Sequence, residues 1–126
     1  MRVSSGGPWE ERAGHSRAVR VGDHVWVAGT TGTQPDRAVP AGVGASAGLA
    51  LEVIGGALEQ AGASLDDVVA ARVYVTDIGQ WEAVVDELRA RLGGARPELT
   101  MVEVARLILP EHAVEIEVEA VVGPAD

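Results

Sequence analysis

The run Val114-Glu115-Ile116-Glu117-Val118-Glu119-Ala120 alternates apolar and acidic residues without a break. A period of two is that of a β-strand, so Val114, Ile116, Val118 and Ala120 face one way and Glu115, Glu117 and Glu119 the other. One side of this strand belongs in a core, while the opposite side carries three carboxylates. Like charges two residues apart on one face repel modestly, which leaves two readings. Either the acidic face is simply solvated, or at least one Glu lines a cleft and handles protons.

The chain of 126 residues is expected to form one domain over 1–126, and 47% hydrophobic residues are enough for a core of that size. It contains no Cys, which excludes disulfides, thiolate metal sites and Cys nucleophiles. No apolar run near Met1 resembles a signal peptide and no segment approaches membrane-spanning length, so the expected location is cytoplasmic, with no membrane partner. Nineteen acidic against ten basic residues give a formal net charge of -9, which opposes a phosphate backbone. The arginines are scattered singly and aromatics make up only 3%, so no nucleic acid partner is expected.

Local patterns predict the elements. Val19 to Val21 and His24 to Ala28 read as strands joined by a Gly22-Asp23 turn, because Gly tolerates the positive φ of such turns. Ala47, Leu51, Ile54, Leu58 and Ala61 recur at helical spacing over 45–61, and the internal Gly55-Gly56 pair suggests close packing against the sheet. Val68 to Thr76 is rich in β-branched residues, with Val69, Ala71, Val73 and Val75 expected on one face and Ala70, Arg72, Tyr74 and Thr76 on the other. A second helix is expected over Trp81 to Leu92, with Trp81, Val84, Val85, Leu88 and Leu92 inward, followed by strands Leu99 to Leu107 and Val114 to Val122. This order predicts an α+β layer with two helices on one face of the sheet. The other face, with Arg72, Tyr74 and the Glu row, must meet water or another subunit.

Several ordered blocks then carry a likeness: Gly14-His15-Ser16-Arg17-Ala18-Val19, Val25-Trp26-Val27-Ala28-Gly29, Ala61-Gly62-Ala63-Ser64-Leu65-Asp66-Asp67, Val73-Tyr74-Val75-Thr76-Asp77, Thr100-Met101-Val102-Glu103-Val104 and Val114-Glu115-Ile116-Glu117. Together they resemble the Rid family, also called YjgF/YER057c/UK114, over about residues 14 to 122. The resemblance implies a chorismate-mutase-like mixed β-sheet fold that assembles as a homotrimer with clefts between subunits. It also implies cofactor-free hydrolysis of enamines and imines such as 2-aminoacrylate.

Deaminating members of the family carry an Arg, in a Pro-Ala-Arg-Ser/Thr motif, that grips the substrate carboxylate in a bidentate way. Laid onto Pro97-Glu98-Leu99-Thr100, the motif puts Leu99 at that position, and His15 stands where the family has a Tyr. Glu115 matches the Glu that positions or activates water, and Gly29 a Gly whose backbone N–H faces the ligand. The expected catalytic residues are therefore Glu115 and His15, with Arg72, Gly29, Trp26, Leu99 and Tyr74 as substrate contacts. Arg72 is expected either to replace the missing clamp or to pair with Glu115 or Glu103 and neutralise the sheet face. His15, His24 and His112 lack metal-ligand spacing, so neither metal nor cofactor is expected. The expected ligand is a small anionic metabolite, hydrolysed or tautomerised with weak or no action on 2-aminoacrylate. The alternatives are a non-catalytic metabolite-binding or regulatory partner, or a tailoring enzyme.

Overall fold

The computed structural model describes residues 1–34, 36 and 38–123. Its elements are β1 Arg2–Val3, α1 Pro8–Ala13, β2 Ala18–Val21, β3 His24–Thr30, α2 Val43–Gln60, β4 Val68–Val75, α3 Trp81–Leu92, β5 Glu98–Glu103 and β6 Val114–Val121. They build a mixed six-stranded sheet in the order β1-β2-β3-β6-β4-β5, antiparallel except for the parallel pair β4–β5. The alternating segment is thus a central strand, flanked by β3 and β4.

α2 and α3 cover one face. Leu51, Ile54 and Leu58 of α2 are fully buried against Val25, Val73, Ile116 and Val118 of the sheet, with Val84, Leu88 and Leu92 of α3 completing the layer. Burial of each such side chain contributes about 1.5–3 kcal/mol. The helical face expected from Ala47 to Ala61 is therefore the buried one. The Gly22-Asp23 turn also forms, pairing Val21 with His24 while Gly22 adopts φ 60.

Four expectations need correction. Trp81 opens α3 but is 49% exposed, because it lies at the helix end beyond the core stripe. Gly55 faces Leu65 rather than the sheet, since a Cβ added there would lie 3.5 Å from Leu65 Cδ1, and Gly56 faces open space. β5 stops at Glu103 rather than Leu107, because β4 ends at Val75 and leaves no pairing partner beyond the Val104 N–H bond to Val75 O. Finally, a register shift between Val68 and Ala70 sends Val68 into the core and leaves Val69 46% exposed. A bulge of this kind reverses the period-two rule locally.

Two N-terminal elements escaped the pattern reading. β1 is too short to show a period, and α1 follows from a local cap instead. Glu10 folds back to accept from the Gly7 N–H at 3.0 Å, the Ser5 N–H and the Ser4 hydroxyl, so it satisfies donors that the helix itself cannot. Those hydrogen bonds outweigh its burial and hold its carboxyl below the ordinary value. The loop before α1 is thereby fixed against the end of the sheet, where it walls a cleft.

Candidate active site

The three glutamates of β6 share a face but have different surroundings. Glu119 accepts from Arg72 Nη2 at 3.1 Å, with His24 Nε2 3.5 Å away. Glu117 accepts from the Tyr74 hydroxyl. Glu115 takes no hydrogen bond from any described residue; burial raises its pKa above the ordinary carboxylate value, Glu117 raises it further, and Arg17 opposes both. A half-buried carboxyl with free lone pairs and a raised pKa is suited to accept a proton from water.

A backbone irregularity explains the position of Glu115. β3 pairs regularly with β6 as far as Val27↔Val118, then shifts so that Thr30 lies opposite Ile116. The extra residue turns Thr30 into the core at 4% exposure and brings Gly29 against Glu115. A side chain at Gly29 would put its Cβ 2.8 Å from the Glu115 carboxyl carbon, so only Gly permits this approach. Arg17 clamps the bulge, donating through Nη2 to the Gly29 carbonyl at 3.0 Å and through Nη1 to Thr30 Oγ1 at 3.0 Å. Burial lowers the pKa of Arg17, while Glu10 and Glu115 support its charge. Sequence reasoning passed over Arg17 as one of the scattered arginines; its one signal was its place beside His15. Gly29→Ala is expected to displace the Glu115 carboxylate and so lower turnover with little loss of stability, because the clash is with the movable end of a side chain, as a thermal melt run beside a turnover assay would show.

Glu115 and Gly29 open onto a cleft of about 760 Å³ that His15, Arg17 and Arg106 also line. Pro8 and Trp9 of α1 form one wall, and Leu107 and Ile108 of the β5–β6 connection another. His112, also in the lining, is 3% exposed; its Nε2 lies 3.2 Å from Thr33 Oγ1 and its Nδ1 has no partner among the described residues. Burial lowers its pKa, which keeps the imidazole neutral at neutral pH. Among the described residues, no three His, Asp or Glu side chains are grouped to hold a metal ion.

The remaining candidates lie elsewhere on the chain. Arg72 and Trp26 line a separate pocket of about 190 Å³ with Glu117 and Glu119. Trp26, placed in the cleft by the sequence reading, instead stacks on His24 with ring centroids 3.9 Å apart. Tyr74 is engaged by Glu117. Leu99 lies opposite Ala71, and Arg72 opposite Thr100. Alternation therefore turns Leu99 to the helix side and Arg72 to the open side, so Arg72 does not reach the place Leu99 occupies. Within one chain, Arg72 neutralises Glu119, where Glu115 or Glu103 had been expected.

The family described as Endoribonuclease L-PSP matches residues 9–122. The chain belongs to this family. It is 47% identical to Rv2704 from Mycobacterium tuberculosis, a member of the YjgF/YER057c/UK114 family, with a TM-score of 0.89 over 97% of this chain and 98% of that one. The RidA structure from the Antarctic bacterium Psychrobacter is 30% identical, with a TM-score of 0.81 over 96% and 94% of the two chains. A 2-iminobutanoate/2-iminopropanoate deaminase of Capra hircus is 36% identical over 113 residues, covering 87% of this chain and 81% of that protein. The α+β fold with a mixed sheet is that of these relatives. No helix among the described residues is long and apolar enough to cross a membrane.

Proposed function

We propose that this protein is a cofactor-free hydrolase of imines and enamines derived from small metabolites. The observation that carries this reading is the half-buried Glu115 carboxylate, without a hydrogen-bond partner among the described residues, held against Gly29 in a cleft shared with His15. The goat relative's name, an imine deaminase, supports the same chemistry. An enamine first tautomerises to the imine, gaining a proton at carbon and losing one from nitrogen. Water then adds to the C=N carbon as Glu115 takes its proton, and the π electrons move to nitrogen. His15 protonates that nitrogen to give a neutral carbinolamine. Glu115 then returns its proton to the nitrogen while His15 takes the proton of the new hydroxyl, so the C–N bond breaks to release ammonia, the C=O group forms and both side chains are restored. The Gly29 backbone N–H donates to the oxygen as charge develops.

The same reading places the protein in a homotrimer. The open sheet face carries Trp26 at 40%, Val121 at 43% and Val102 at 43% exposure, beside Arg72 and Tyr74, and a second copy would cover it. Leu99, at the edge of β5, offers no donor to a carboxylate, so turnover of 2-aminoacrylate is expected to be weak. The test couples a dehydratase or an amino-acid oxidase to this protein and follows ammonia and 2-oxo acid release above the spontaneous rate. Acceleration on substituted imines supports the proposal, and no acceleration on any imine defeats it. Strong release from 2-aminoacrylate defeats the part assigned to Leu99.

A further inference from the structure

We infer that Arg106 is the anion-binding residue of the Glu115 cleft, and that its ligand is a carboxylate bearing a branched or aromatic apolar group. This rests on the reading of that cleft as the substrate site. The commitments of the neighbouring arginines lead to Arg106. Arg17 lines the cleft, but its two terminal nitrogens are taken by the Gly29 carbonyl and Thr30, and its Nε, without a partner among the described residues, is buried. Arg72 is held by Glu119 in the other pocket. Arg106 lines the cleft, is exposed, and makes no ion pair or side-chain hydrogen bond with any described residue.

In a chain of net charge -9, with Glu115 itself in the cleft, an anionic ligand needs a local cation to offset repulsion. A free guanidinium supplies this as a planar fork matched to a carboxylate. Arg106 lies on the connection that follows β5, so the clamp missing at Leu99 is supplied from farther along the same segment.

The walls define the rest of the ligand. Ile108 is 67% and Trp9 41% exposed, yet both border this cleft, together with Pro8, Val53 and Leu107. Large apolar side chains left exposed around a concave site mark a surface that takes apolar groups. A volume of about 760 Å³ suits a substituted acid better than a three-carbon one.

The test is calorimetric titration with 4-methyl-2-oxopentanoate, its neutral methyl ester, and pyruvate. Arg106→Gln is expected to weaken binding of the branched acid by about 10- to 100-fold while leaving the ester unchanged, with Arg106→Lys recovering part of the loss. An Arg106→Gln affinity within about 2-fold of the parent overturns the assignment, as does loss of acid binding in Arg72→Ala instead. Pyruvate binding as tightly as the branched acid overturns the apolar part. If the unaltered protein binds neither acid nor ester, the cleft reading falls as well. If only the Arg106 results fail while Glu115→Gln still abolishes imine turnover, the hydrolase reading stands and Arg106 is discarded.

Discussion

Glu115→Gln is expected to lower imine turnover by about 10²–10⁴-fold, the range general acid–base catalysis supplies, because the amide cannot take a proton from water. The same change is expected to leave the fold at least as stable at neutral pH. Burial raises the folded-state pKa of Glu115 above its unfolded value, with Glu117 adding to the shift. The proton on such a group favours the folded state fully below the unfolded pKa, and that advantage is lost as pH rises through the folded pKa. At neutral pH the ionised carboxylate therefore opposes folding, and Gln removes the charge. Melting curves of the variant should lie at or above the parent at pH 7 and converge with it toward pH 4. Undiminished turnover, or a melting temperature well below the parent at pH 7, would contradict the role given to Glu115.

Leu51→Ala is expected to cost about 2–5 kcal/mol, the transfer free energy of the lost atoms plus the cavity left between α2 and the sheet. Leu51 is among the largest fully buried side chains, and the fully buried Ile54 and Leu58 limit how far the site can collapse. Urea unfolding at fixed protein concentration measures the loss as a lower midpoint with unchanged slope. A cost below about 1 kcal/mol would mean that the layer is looser than its burial indicates.

Much of the fold could be read in advance where period and turn chemistry were strong. The alternation from Val114 to Ala120, the helical spacing from Ala47 to Ala61 and the Gly22-Asp23 turn each correspond to an element found in the structure. Such patterns are legible because a buried face imposes its own repeat on the sequence. β1 and α1 lack that signature: the first has two residues, and the second is held by Glu10 hydrogen bonds rather than by an apolar stripe. Val69 and Trp81 were misplaced for a related reason. A bulge and a helix end break the repeat without changing residue types.

The candidate site was less legible because it depends on which side chains meet. Glu115, Gly29 and His15 do line one cleft, but Trp26 and Arg72 lie in another pocket. Arg17 and His112 gained importance only when their partners became visible. The sequence by itself determined the sheet, its buried face and the row of three acids opposite, because strand periodicity acts over neighbouring residues. Only the tertiary structure decided that Glu119 and Glu117 are engaged while Glu115 has no hydrogen-bond partner among the described residues. That difference arises from cross-strand register and one bulge in β3, which set distances between residues far apart in the chain.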